Sequence, residues 1–279
     1  MRASKQRIAL FASAYQGVEI LNRLLCDDRL SRTTQVVGVV RDDPSNPVCK
    51  ASIRTWKYLD QTELPKRIER LALAHGIPVY SGALSNERFF QDFISAWQPD
   101  LSICCVFGQK ITSRYRNVAG LGTVNLHPCC MSPFELWPSE YSGVLPIKRM
   151  LDAGHTGLFW AAHFMTDAMD AGPPIAFSRW MPINAEMSLA QNHEGHAPEI
   201  AKFVSDVTQV LTGVSEPADV APPIGYADFG QLRNRAEVQI LNPILRKSHE
   251  RKPSNSLTNS SRDPEFSNLR NNEPPKRLR

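Results

Sequence analysis

What the chain has least of is a long apolar run. No stretch approaches the roughly 20 residues that cross a bilayer. The apolar start Ile8-Ala9-Leu10-Phe11-Ala12 turns polar too soon for a secretory signal. A cytoplasmic protein is therefore expected. Cysteine is also scarce: the six, at 26, 49, 104, 105, 129 and 130, never take C-x-x-C spacing. That sets aside zinc-ribbon and redox motifs, and a cytoplasmic setting sets aside disulfides. Glycine is missing where a dinucleotide would need it. The turn Ser13-Ala14-Tyr15-Gln16-Gly17 holds one glycine in place of G-x-G-x-x-G, so nothing supports a nicotinamide or flavin cofactor. Charge of one sign is lacking over most of the chain. The net charge is +4, but residues 247–279 carry eight Lys/Arg and four Asp/Glu, leaving 24 of each sign in residues 1–246. A neutral body lacks the basic face that tracks phosphates, so a nucleic-acid partner is not expected.

What is present suits one large domain with an appendage: 279 residues, 42% hydrophobic and 22% charged. Apolar, β-branched runs at 7–13, 35–41, 77–80 and 101–107 alternate with helical spacing at 18–25, 64–75 and 89–97. Within the run at 101–107, Cys104 and Cys105 read as small hydrophobes. Strand–helix alternation predicts an α/β fold with a doubly wound, Rossmann-like, mostly parallel sheet. Further strands are predicted at 123–126, 158–165 and 174–183, and a last helix at 187–212. The organisation expected is a domain over 1–183, a small helical C-terminal extension over 184–246, and a disordered basic tail over 247–279. In such sheets ligands sit beyond the carboxyl ends of the strands, where strand order reverses.

Two constellations fall at strand ends. Asn125 and His127 lie two apart on a strand, so both point the same way. They form either a pair able to stabilise an oxyanion and move a proton, or hydrogen-bonded groups closing a strand. Pro128 is expected to end the ladder and to place Cys129 and Cys130 in a loop. The second constellation is His163 followed by a loop with Asp167 and Asp170 before Ala171-Gly172. Asp170 could orient a histidine or hold a proton, and either carboxylate could equally be structural; Asp167 could cap a turn. His155, His193 and His196 read as surface residues, because His193-x-x-His196 has no third metal ligand. No metal is expected.

Taken together, Asn125-x-His127-Pro128 and His163 with Asp170 seven residues on and Gly172 behind it resemble the 10-formyltetrahydrofolate-dependent formyltransferase family. That family includes glycinamide ribonucleotide, methionyl-tRNA and sugar-amine N-formyltransferases. The likeness extends over about residues 7–183 and includes Val106-Phe107-Gly108 and Gly120-Leu121-Gly122. It implies a formyltransferase catalytic domain with Asn125 and protonated His127 on the formyl oxygen and Asp170 completing the triad. It also implies 10-formyltetrahydrofolate as formyl donor, its pterin held mainly by backbone at Val106, Phe107, Gly108, Gln109 and at Ala168, Met169 and Asp170.

The chain departs from the family pattern after Pro128. Cys129-Cys130-Met131-Ser132-Pro133 stands in place of Ser-Leu-Leu-Pro, and the segment ending Tyr141-Ser142-Gly143 is displaced by an insertion. A Cys129–His127 nucleophilic pair is one reading of that change; Trp137 and Tyr141 either stack on a substrate or pack the insertion. The first turn lacks the Gly-Ser-Asn of the glycinamide ribonucleotide enzymes, and residues 184–246 are too few and not basic enough for a tRNA-gripping barrel. The expected acceptor is thus a small-molecule amine, an amino sugar or amino acid derivative. Methionyl-tRNA formyl transfer, formyltetrahydrofolate hydrolysis and inactive folate binding are the alternatives.

Overall fold

Strand β1 (Gln6–Ala12) shows how the sheet divides the molecule. Ile8, Leu10 and Ala12 join one core cluster while Ala9 and Phe11 join another, because successive side chains leave opposite faces. A strand apolar on both faces has to be covered on both. In the computed structural model, which describes residues 5–49, 63–129 and 139–215, helices do so. One face is covered by α1 (Ala14–Cys26), α2 (Asp28–Thr33) and α3 (Leu64–Ala74). The other is covered by α4 (Glu87–Asp92), its π-helical continuation Phe93–Trp97, and α5 (Ser113–Arg116). Phe89, Phe93, Trp97 and Tyr115 pack there as a network of tilted and edge-on rings beneath Phe11.

The sheet runs β3 (Val79–Tyr80), β2 (Thr34–Val40), β1, β4 (Leu101–Cys105), β5 (Thr123–Cys129), β6 (Gly157–Phe164), β7 (Pro174–Phe177). The first five are parallel; β6 is antiparallel to β5, and β7 to β6. This is the doubly wound, mostly parallel sheet that the sequence predicts. From β1 the chain goes outward to β2 and β3, then returns to β4 on the other side, so strand order reverses between β1 and β4. The crevice at their carboxyl ends is the expected ligand position.

Three local features differ from expectation. The strand predicted over 123–126 runs on to Cys129: Pro128 pairs with Trp160 and Cys129 with Phe159. β4 pairs with β5 only as far as Leu126, so beyond it β5 has one flank unpartnered among the described residues, the position in which a sheet accepts proline. Cys129 is a buried strand residue, not a loop residue. The strand predicted over 174–183 divides into β7 and β8 (Met181–Pro182), which pair with opposite ends of β6. Ser178 marks the break, its Oγ accepting from Trp160 N at 2.8 Å. Finally, His193 and His196 are buried. They lie on α7 (Leu189–Leu211), the helix after α6 (Pro146–Asp152). Opened by a Ser188–Gln191 capping box, α7 packs on α1 and carries Ile200, Val204 and Val207 into the first core cluster. No helix of the described residues is long and apolar enough to cross a membrane. The insertion residues 130–138 with Trp137, most of the 44–60 stretch, and residues 216–279 with the expected tail lie outside the described residues.

β6 ends in the loop 166–173, which turns back so tightly that Phe164 N donates to Pro173 O at 2.9 Å. A Cβ on Gly172 would stand 1.7 Å from Phe164 O, a backbone atom that cannot yield as a flexible side chain would. Gly172→Ala is expected to lower stability by about 1–3 kcal/mol in urea unfolding and to displace Asp170. Unchanged stability would show that the loop has another low-energy path.

Candidate functional site

A cavity of about 380 Å³ opens beyond the carboxyl ends of β1, β2, β4 and β5, within the range of small-molecule sites. Asn125 and His127 share one face of β5, whereas Val124 and Leu126 between and beside them join the main core cluster. Register sets the next residue: Asn125 lies directly opposite His163 across the β5–β6 ladder. Asp170 arrives from the 166–173 loop in the left-handed conformation, φ 48°.

Asp170 joins these groups. Its Oδ1 accepts from Asn125 Nδ2 at 3.0 Å and its Oδ2 from Gly143 N at 2.7 Å. His127 Nδ1 lies 3.5 Å from Oδ2, and His163 Nε2 lies 4.0 Å from Oδ1. Asn125 gives its second N–H to His163 Nε2 at 3.1 Å. His163 Nδ1 faces Phe164 O at 3.1 Å and so carries the proton of the neutral ring. The Asn125 amide orientation follows, since only its NH₂ can meet both a carboxylate and an acceptor nitrogen.

His127 Nε2 lies 3.1 Å from Tyr141 O, which also accepts from Arg149 at 2.5 Å. Arg149 holds Ser142 O at 2.6 Å as well, pinning the segment whose Gly143 N–H reaches Asp170. Burial pushes the His127 imidazole below its ordinary 6.5; Asp170 and Tyr141 O pull it up, and the Arg149 charge adds to the lowering. Burial likewise pushes His163 down to about 4. Desolvation thus outweighs the pull of the carboxylate at His127.

Of the five described non-glycine residues with positive φ, Val106, Leu145 and Asp170 line the cavity and Ala14 follows Ser13, which does. A β-branched valine there is strained, and such strain gathers at functional sites.

Val106, Phe107, Gly108, Gln109, Ala168 and Met169 all line the cavity. Phe107 packs edge-on against Phe11, and Met169 is exposed at the rim. The Gln109 side chain clamps loops, donating to Gly82 O at 3.0 Å and accepting from Leu84 N at 3.1 Å. Asp167 is exposed and ion-paired with Arg116. Tyr141 packs against the main core cluster, its hydroxyl 2.9 Å from His155 Nε2. Cys129 is not among the cavity's lining residues, which leaves a Cys129–His127 nucleophile without support.

Sequence reasoning misses Ser13, Asp42 and His193, which line the cavity too. Asp42 reads as a strand terminator in Asp42-Asp43-Pro44. Folded, it is buried and accepts from Gly108 N, Gln109 Nε2, Ser13 Oγ and Cys49 Sγ. Burial nonetheless pushes its carboxyl above the ordinary range. Its donors come from distant segments, so no local signal announces it.

Comparison with known proteins follows the same line. A family model described as Formyl transferase matches residues 7–216. The methionyl-tRNA formyltransferase of Bdellovibrio bacteriovorus is 26% identical over 193 residues, 68% of this chain and 54% of that protein. That of Xylella fastidiosa is 25% identical over 178 residues, 62% of this chain and 55% of that protein. The chain thus spans about half the length of the curated relatives it matches. Two solved structures share the fold. Glycinamide ribonucleotide transformylase 1 from Symbiobacterium toebii has a TM-score of 0.54 at 14% identity, covering 75% of this chain and 88% of that one. A formyltetrahydrofolate deformylase from Pseudomonas syringae pv. tomato has a TM-score of 0.53 at 16% identity, covering 76% and 63%.

Arg149→Met removes both a positive charge and a competing donor from Tyr141 O. Both changes favour protonated His127, so its titration is expected to move upward while His163 still titrates near 4. Imidazole ¹⁵N shifts against pH would show it; a downward or absent shift for His127 would contradict the geometry.

Proposed function

Since the chain belongs to the formyl transferase family, we propose that it transfers a formyl group from 10-formyltetrahydrofolate to the primary amine of a small molecule. The observation that carries this reading is one nearly buried carboxylate, Asp170, joined to an amide and an imidazole on the same face of β5, at the wall of a ligand-sized cavity. When bound, the folate supplies a formyl group on N10. Val106, Phe107, Gly108, Gln109, Ala168 and Met169 are the residues that would hold it, and a mostly apolar cavity wall suits a flat heterocycle.

His127 rests neutral, so it can accept the proton that the attacking amine must lose. The imidazolium would then form beside Asp170 Oδ2 as negative charge collects on the formyl oxygen, and would return its proton to the departing folate nitrogen when the N10–formyl bond breaks. Attraction to the carboxylate, too weak to charge the ring at rest, stabilises it at that step. Asn125 presents its NH₂ to that oxygen. Both N–H groups are engaged at rest, and the contact to neutral His163, a weaker acceptor than Asp170, is the one to yield. Each such donor typically contributes about 10²–10³ in rate.

A small acceptor accords with the neutral body, 24 basic and 24 acidic residues over 1–246, and with three aspartates, Asp42, Asp167 and Asp170, lining the cavity. An amino sugar or amino acid derivative fits that setting better than a polyanion. The protein is read as a soluble cytoplasmic enzyme.

Calorimetry with a non-reactive 10-formyltetrahydrofolate analogue tests the donor: one equivalent is expected to bind, and no binding at millimolar analogue would overturn the reading. Asp170→Asn is expected to keep the fold and the analogue while losing turnover by at least about 10². Formate release without any amine would put water in the acceptor's place, and formylation of charged initiator tRNA would replace the small molecule.

A further inference from the structure

The end of the cavity formed by β1 and α7 has its own polar device. Gln16, fully buried on the first turn of α1, gives both N–H groups to a single residue: Nε2 lies 3.0 Å from His193 Nδ1 and 3.0 Å from His193 O. The carbonyl contact fixes the amide, because only an N–H can meet it. Nδ1 is then an acceptor, and the proton of the neutral ring sits on Nε2. Burial keeps the ring neutral, pushed down to about 4. His193 lines the cavity although it is 6% exposed, and its Nε2 has no hydrogen-bond partner among the described residues. The arrangement also leaves Gln16 Oε1 buried and without a partner among the described residues. Buried polar atoms are rarely left so, and packing alone gives no reason for it.

We infer that His193 Nε2–H is a fixed donor for a hydroxyl or carbonyl oxygen of the amine acceptor, which makes that acceptor a hydroxylated, phosphate-free amine such as an amino sugar. This rests on the formyl-transfer reading and narrows it. The neighbouring groups exclude phosphate at this end. Ser13, which opens the helix that carries Gln16, is hydrogen-bonded to the buried carboxylate Asp42 at 3.3 Å. The cations among the described lining residues are Lys110 and Arg116, neither of them on β1, β2 or α7, and Arg116 is spent on Asp167. A single N–H with no cation beside it suits an uncharged oxygen.

The test uses the full chain with ¹⁵N-labelled histidine, with and without the folate analogue. It is titrated with glucosamine, with aminocyclohexane, which keeps the ring amine but lacks hydroxyls, and with glucosamine 6-phosphate. Glucosamine is expected to bind about tenfold or more tighter than aminocyclohexane and to move the His193 Nε2 resonance. His193→Phe, similar in size and lacking the N–H, is expected to erase that preference while folate-analogue affinity stays the same. Equal binding of the two amines, a silent His193 resonance, or a tenfold preference for the phosphate would overturn the inference. If His193→Phe does not fold, the wild-type resonance decides alone. A responding His193 without analogue binding would remove the formyl-transfer reading and leave the subsite. Analogue binding with a silent His193 would do the reverse.

Discussion

A nearly buried carboxylate makes demands on everything around it. Asp170 meets them with Asn125 Nδ2 on one oxygen and Gly143 N on the other, and His127 within ion-pair reach. Without those donors its oxygens would be left unpaired at that depth. The donors come from β5 and from the 139–145 segment, and the carboxylate comes from the loop after β6. Three parts of the chain are therefore fixed by one charge. The backbone bears part of the cost, with Asp170 at φ 48° and Gly172 pressed against Phe164 O.

The second governing effect is the contest between burial and attraction at the histidines. Burial wins at His127, His163 and His193, so the rings are neutral and each presents one donor and one acceptor. Their partners then decide which nitrogen is which. Phe164 O assigns the proton of His163 to Nδ1, and Gln16 assigns that of His193 to Nε2. At His127 both nitrogens face acceptors. It is the one ring placed to welcome a second proton, which is what a group that takes up a proton during reaction needs.

Much of the fold is legible in the sequence because it depends on local repetition. Ile8, Leu10 and Ala12 against Ala9 and Phe11 is a period-two division that can be read before folding, and so are the apolar stripes of α1, α3 and α4. The same holds for Asn125 and His127, whose shared direction needs only that the segment be a strand. Pro128 misleads for a tertiary reason: whether proline ends a ladder depends on whether a neighbouring strand runs alongside, and β4 has already stopped. His193 and His196 mislead likewise. Two polar rings on a helix read as surface until α1 and Gln16 close over one of them and Pro182 O receives the other.

The sequence by itself determined the doubly wound sheet, the resemblance to the formyl transferases, and the pairing of Asn125 with His127 on one strand. Each rests on spacing along the chain, which folding does not alter. Only the tertiary structure decided that His163 lies opposite Asn125, that Asp42 and His193 reach the same cavity, and that burial lowers the proton affinity of the His127, His163 and His193 imidazoles. Those depend on which distant segments exclude water from a side chain and which donors they bring to it. Desolvation and hydrogen-bond pairing are properties of the assembled core, and no short stretch of residues carries them.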